Sequence, residues 1–137
     1  MAKLFLEVVT PEDALISQEV DMVTAPGTEG EFGVLPGHVL FLSGIVPGEL
    51  RYTDGSERGS LFVTAGFAEV SNDRVSVLVD AAEMTTEIDI ERAKLAIVRA
   101  RERLEKDRGK EDIDFRRAEA ALQRAMLRLK MAEKARL

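Results

Sequence analysis

The uneven distribution of proline and glycine constrains the fold of this chain more than any other sequence feature. All four prolines precede residue 50, and after Gly66 the only glycine is Gly109. Both residue types interrupt regular elements and form turns, whereas a segment that lacks them can continue as a helix. The sequence therefore predicts a turn-rich first domain, residues 1–86, and a helical second domain, residues 87–137.

Charge changes at the same border. Residues 1–86 carry 14 acidic and 4 basic side chains, whereas residues 87–137 carry 11 acidic and 15 basic ones, so an acidic domain precedes a basic one. The net charge of −6 for the whole chain argues against nucleic acid as a partner. The chain has no cysteine, which excludes disulfides, thiolate catalysis and zinc fingers. It also lacks a signal-peptide core and an apolar run long enough to span a bilayer, which predicts a soluble chain without direct membrane insertion.

Short apolar runs separated by turn signals predict eight or more strands in the first domain. Asp54-Gly55 lies between two strand-like runs and predicts a hairpin, and residues 71–73 predict a second one. The apolar run 40–46 is expected to be buried. Because no helical segment separates the strands, we predict an antiparallel β-sandwich or a flattened barrel. The predicted strands are residues 3–10, 19–25, 32–35, 40–46, 49–52, 61–65, 66–70 and 74–80.

Apolar residues recur at intervals of three and four from Ile90 onward, which predicts two helices separated by a break around Gly109. The predicted seam between these helices consists of Ile90, Ala93, Ile97, Ala100 and Leu104 in the first and of Phe115, Ala118, Leu122, Ala125, Leu129 and Ala132 in the second. A short connection makes the pair an antiparallel hairpin. Alanine fills half of both seams, so the hairpin buries little apolar area and needs a second surface. The predicted fold class is α+β, an N-terminal antiparallel β-sandwich followed by a C-terminal antiparallel two-helix hairpin.

No motif predicts catalysis or a metal site. Gly27, Gly30 and Gly33 lack the spacing of a dinucleotide-binding loop and do not lead into a helix. The single histidine, His38, has no cysteine or second histidine with which to share a metal, so a role in a turn or a partner contact explains it better. Asp112 and Asp114 precede the second helix, where helix capping accounts for them.

Arginines recur on one face of each predicted helix, at Arg92, Arg99, Arg103, Arg117, Arg124 and Arg128. In a closed hairpin these two stripes could bracket a polyphosphate, whose oxygens arginine forks bind, while Asp89 or Glu83 accepts from a base or sugar. The same spacing also suits a solvated helix face with local pairs such as Asp89 with Arg92, and Asp89 is placed to cap the first helix. Spacing alone favours the solvated face and leaves the anion site open.

Four segments resemble, in order along the chain, the epsilon subunit of bacterial F-type ATP synthases. They are residues 30–38, 66–70, 88–93 and 112–115. The resemblance implies a non-catalytic rotor subunit of the central stalk, with a β-sandwich followed by two antiparallel helices. Its partners would be the gamma subunit and the membrane ring of c subunits, which Glu31 and His38 would face. Such a subunit is peripheral and lies at the cytoplasmic face of the bacterial inner membrane.

In this family the helical hairpin folds against the sandwich or extends toward acidic segments of the catalytic beta subunits, where it hinders ATP hydrolysis. Some members bind ATP between the helices, as a regulatory ligand and not as a required cofactor. The residues of this chain that match their motif are Glu83, Ile88, Asp89, Arg92, Ala93, Arg124 and Arg128. A stand-alone nucleotide-sensing module with no rotor role is the alternative hypothesis.

Overall fold

Ten β-strands form the first part of the chain in a computed structural model that describes residues 2–106 and 112–136. The strands are β1 Leu4–Val9, β2 Ala14–Val20, β3 Met22–Gly27, β4 Gly30–Val34, β5 Phe41–Ile45, β6 Gly48–Asp54, β7 Glu57–Val63, β8 Gly66–Ser71, β9 Arg74–Val79 and β10 Ala82–Met84. They belong to one unit, Met1–Met84, and the helices belong to a second, Thr85–Leu137. The border lies two residues before the one that the sequence predicts, after residue 86.

The strands share one hydrogen-bonded sheet that encloses its own core. Its order is β10-β7-β6-β3-β5-β8-β9-β1-β2, and β4 pairs with β3. Among the described strands the pairing is antiparallel except between β1 and β9, which run parallel. Leu4, Leu6 and Val8 alternate along β1 and are fully buried, as the two-residue period of a strand requires. The predicted sandwich is confirmed, and the parallel pair is an addition to it.

Two hairpin turns follow directly from local sequence. Gly55 has a φ of 63° and stands first in the two-residue turn between β6 and β7, as a type II′ turn requires. Asn72 and Asp73 have φ values of 49° and 60° and join β8 to β9, the two positive angles of a type I′ turn. Both predicted hairpins are confirmed, although Asp54 ends β6 and lies outside the turn.

The apolar run 40–46 was wrongly predicted to be buried. Leu40 and Leu42 are 76% and 71% exposed, and Ile45 lies in the core. The outer face of β5 is not covered, and consecutive apolar residues such as Phe41 and Leu42 place apolar side chains on that face as well. This outward surface contributes to the site described below.

The predicted strand 19–25 is divided in the structure by Asp21. The backbone N–H of Asp21 donates to the carbonyl of Thr53 at 2.7 Å, and its carboxylate accepts from Gly55 N–H at 2.6 Å. Lys3 lies 2.8 Å from the same carboxylate, which lowers the pKa of Asp21, as does the Gly55 N–H to a lesser extent. These long-range bonds fix the bend between β2 and β3, and the local sequence does not predict them.

The second unit consists of a short 3₁₀ turn, Thr85–Glu87, followed by α1, Ile90–Lys106, and α2, Asp112–Ala135. The end of α2 lies beside the start of α1, because Arg136 donates to the carbonyl of Ile88 at 2.8 Å. The helices are therefore antiparallel, as predicted. Along the described ranges, neither helix is long and apolar enough to cross a bilayer.

The helical seam follows the predicted spacing. Its most buried members are Ala93, Ile97, Ala100, Ala118, Ala125 and Ala132. Phe115 is more exposed than its seam position predicts, whereas Met131 is buried beside Ala132 and was not predicted. The predicted break at residues 107–111, and the predicted capping side chains of Asp112 and Asp114, lie outside what the structure describes.

Candidate functional site

Asp89 caps the start of α1, as predicted. Its Oδ1 accepts from the backbone N–H of Arg92 at 3.1 Å, and its carbonyl accepts from Ala93 N–H at 3.0 Å. These are the side-chain and main-chain bonds of an N-cap residue. The bond with Arg92 involves its backbone, so the guanidinium of Arg92 takes no part in the cap.

Replacing Asp89 with alanine should lower the free energy of unfolding by about 1 kcal/mol, because the first turn of α1 loses its acceptor. Asparagine supplies the same acceptor without charge, so Asp89→Asn should keep most of the stability. Urea unfolding followed by helical circular dichroism measures both changes. If Asp89→Asn destabilises as much as alanine does, charge and not capping explains the role of Asp89.

Antiparallel packing brings the three predicted ATP-binding arginines to the same half of the hairpin. Arg92 is in the first turn of α1, and Arg124 and Arg128 are in the second half of α2. The hydrogen bonds of Arg136 place the end of α2 beside the entry to α1. Arg92 therefore lies in the half of the hairpin that also contains Arg124 and Arg128.

The residues predicted to bind ATP differ in accessibility. Arg92 and Arg124 are exposed, and within the described ranges no carboxylate bonds either guanidinium. Ile88 and Ala93 are fully buried, so their side chains serve packing and a ligand could meet only their backbone. Three cationic side chains in one half of the hairpin, Arg128 being the third, are suited to binding several phosphate oxygens.

Glu83, the remaining residue predicted to bind ATP, lies in the first unit. It is half-buried on β10 and pairs in register with Phe62 of β7. The six other residues predicted to bind ATP belong to the helical unit. Pairing with β7 therefore fixes the backbone of Glu83 in the sheet.

The loop of residues 35–40 between β4 and β5 is held in place at both ends. Asp73 accepts from Gly37 N–H at 2.7 Å, and Gly37 has a φ of 88°, which favours glycine. Nδ1 of His38 lies 2.8 Å from the carbonyl of Val39. The His38 ring packs edge-on against Phe41 with 5.8 Å between the ring centres. The loop thus presents its exposed apolar side chains from a defined position.

Three large apolar side chains form a continuous outward surface on the sheet, which we call the apolar face: Leu42, Phe67 and Leu78. They are 71%, 64% and 53% exposed. Phe67 of β8 pairs directly with Leu78 of β9, and Leu42 of β5 lies diagonal to Phe67. Beside it, Leu40, Phe41, Leu42, Glu69 and Val70 line an open groove of about 370 Å³. A contiguous exposed apolar surface of this kind marks a protein interface.

Glu31 is organised by an ion pair that sequence reasoning did not predict. Its two carboxylate oxygens accept from the Arg51 guanidinium at 3.0 and 3.2 Å, and Arg51 also reaches Glu49 at 3.1 Å. The carboxylate of Glu31 raises the pKa of Arg51, and that of Glu49 adds to the effect. No hydrogen bond or ion pair joins Glu31 to His38 in the part of the chain that the structure describes.

Sequence reasoning predicted Glu31 and His38 but missed the apolar face. A signal was present, because Phe67 and Leu78 interrupt the alternation of apolar and polar residues along β8 and β9. Across residues 2–106 and 112–136, no cluster of three or more acidic or histidine side chains could hold a metal ion.

Comparisons with known proteins cover both units. Residues 3–85 match the family described as the β-sandwich domain of the ATP synthase delta/epsilon chain, and residues 86–133 match its long α-helix domain. In a structure of the Euglena gracilis mitochondrial ATP synthase, one chain is similar in fold, with a TM-score of 0.80 and 24% identity over all of this chain and 83% of that one. A chain of the Tetrahymena thermophila enzyme has a TM-score of 0.64 at 16% identity, over 96% of this chain and 97% of that one.

Curated relatives share half of the sequence. The ATP synthase epsilon chain of Syntrophobacter fumaroxidans is 52% identical over 96% of this chain and 97% of its own length. The epsilon chains of Nitratidesulfovibrio vulgaris and Geotalea uraniireducens are each 49% identical, over 93% and 97% of this chain and 94% and 96% of their own lengths. With both units matched and the identity this high, the chain belongs to the ATP synthase delta/epsilon chain family as a non-catalytic, epsilon-type subunit.

Proposed function

We propose that this chain is a rotor subunit of the central stalk, which docks on the gamma subunit through the apolar face and regulates ATP hydrolysis through the helical hairpin. The observation that carries the proposal is the apolar face itself. In the isolated chain, the apolar side chains of Leu42, Phe67 and Leu78 are exposed to water. A partner that covers them would remove this unfavourable exposure. Family membership supports a stalk subunit as that partner.

Contact with the ring of c subunits involves polar groups, unlike the apolar contact proposed for the gamma subunit. The Glu31 carboxylate is held outward by Arg51 and keeps capacity to accept further hydrogen bonds from a basic or amide-rich loop. His38 lies on the anchored loop that leads to Leu42. In this arrangement the chain reaches the cytoplasmic face of the membrane through its protein partners, as a peripheral subunit.

The hairpin suits a mobile regulatory element. Its residues from 87 onward carry 15 basic and 11 acidic side chains, so it is attracted to acidic segments of the catalytic beta subunits. Its alanine-rich seam buries little area, so closed and extended forms differ by a small free energy. ATP bound by Arg92, Arg124 and Arg128 would favour the closed form, since only that form brings α1 and α2 together.

The alternative function is a stand-alone nucleotide-sensing module. The exposed guanidinium groups of Arg92 and Arg124 favour it, because each is available to an anionic ligand. This alternative gives the apolar face no role. Binding to the gamma subunit therefore separates the two functions.

Removal of residues 87–137 should raise ATP hydrolysis by the reassembled enzyme about fivefold, a modest value for a regulatory coupling. Binding to the gamma subunit should persist, because the sandwich has a buried core of its own. The measurements are steady-state hydrolysis and co-purification with gamma, each beside the full-length chain. Unchanged hydrolysis would contradict the regulatory role, and lost binding would contradict docking through the sandwich.

A further inference from the structure

The guanidinium of Arg136 makes four hydrogen bonds to backbone carbonyls. Nη1 donates to Ala132 at 2.9 Å and to Thr85 at 3.4 Å. Nη2 donates to Ile88 at 2.8 Å and to Thr86 at 3.2 Å. The two terminal nitrogens together carry four N–H groups, so the four carbonyls occupy all of them. All of these residues belong to the second unit.

Three of these carbonyls precede α1, and the fourth belongs to the last turn of α2. Ala132 is in the last turn of α2, where helix carbonyls lack intrahelical partners. Thr85 and Thr86 belong to the 3₁₀ turn, and Ile88 directly precedes the cap residue of α1. Thr85 and Ile88 are buried at 3% and 0% exposure, and buried carbonyls need a donor. One side chain thus joins the entry to α1 with the end of α2, opposite the interhelix connection.

We propose that Arg136 is the latch of the hairpin, whose four bonds hold the helices closed at the end away from their connection. The inference rests on the proposed mobility of the hairpin and names the contact that controls it. The seam is rich in alanine, so a charge-assisted cluster at the open end supplies a large share of the closing free energy. A lysine ammonium presents its donors from one point and cannot span the four carbonyls as the planar fork does.

Amide hydrogen exchange on the full chain tests the latch, since exchange from the helices reports how often the hairpin opens. In Arg136→Gln, protection at residues 90–97 of α1 and 125–132 of α2 should fall about tenfold, which is the effect of losing charge-assisted hydrogen bonds. Arg136→Lys should show most of the same fall. Arg101→Gln removes an exposed arginine from α1 and should change nothing. Amides of β8 and β9 serve as the internal reference.

The latch predicts a change in α1 as well as in α2. A fall confined to residues 133–136 would show simple fraying of the chain end and would overturn the proposal. Three other results would also overturn the proposal: unchanged protection in Arg136→Gln, an equal fall in Arg101→Gln, or full protection in Arg136→Lys. Helical circular dichroism should stay at the level of the unmodified chain, and its loss would also count against a latch. None of these measurements depends on inhibition of ATP hydrolysis. The latch can therefore be tested even if the regulatory role is disproved.

Discussion

Leu42→Asp is expected to weaken binding to the gamma subunit about a hundredfold, equivalent to roughly 2.7 kcal/mol, while the sandwich stays folded. Leu42 is 71% exposed, so the substitution removes little buried area, and the free chain bears only the repulsion between the new carboxylate and Glu69, its exposed partner on β8. In the complex it removes an apolar contact and buries an unpaired carboxylate, which makes the loss large. Titration calorimetry with purified gamma subunit gives the dissociation constant directly.

The matched control adds the same charge elsewhere on the sheet. Ser17 is exposed on β2, outside the apolar face, and Ser17→Asp should bind gamma like the unmodified chain. Phe67→Asp, on the neighbouring strand, should reproduce the Leu42→Asp defect. Normal binding by both face variants would exclude this surface as the docking site. Equal defects in all three variants would point to net charge as the cause.

Local sequence was sufficient wherever neighbouring residues decide the backbone. The turn between β8 and β9 formed as predicted because Asn72 and Asp73 tolerate the positive φ values that a type I′ turn demands. Asp89 likewise caps α1 through a bond to a residue three positions away. The helical seam followed from its period alone. In each case residues close together in the sequence determine the local structure, so the sequence pattern is enough to predict it.

Features set by distant residues could not be predicted in this way. The apolar run 40–46 has no alternation, so its sequence cannot tell a strand covered on both faces from one with an apolar outer face. The parallel pairing of β1 with β9 joins segments about 70 residues apart. Arg136 looks like any basic residue near a helix C-terminus, and only tertiary structure brings Thr85 and Ile88 to it.

ATP is expected to raise the melting temperature of the full chain, and Arg124→Ala to remove most of that rise. At about ten times the dissociation constant, a ligand that binds only the folded form stabilises it by about 1.4 kcal/mol. For a chain of 137 residues, that corresponds to a rise of about 5 °C. Arg92→Ala should have the same effect, because Arg92 lies in the same half of the hairpin as Arg124 and belongs to the same proposed ATP site. A thermal scan at several ATP concentrations measures the shift.

Arg101→Ala is the control for charge, since Arg101 is exposed on α1 and lies outside the proposed ATP site. It should keep the full rise with ATP. Absence of any rise in the unmodified chain at millimolar ATP would reject the nucleotide site. The latch sharpens this test, because ATP needs the closed hairpin and its apparent affinity scales with the closed fraction. Arg136→Gln should therefore weaken ATP binding only as far as it opens the hairpin, and by less than Arg124→Ala, which removes a contact with the ligand itself.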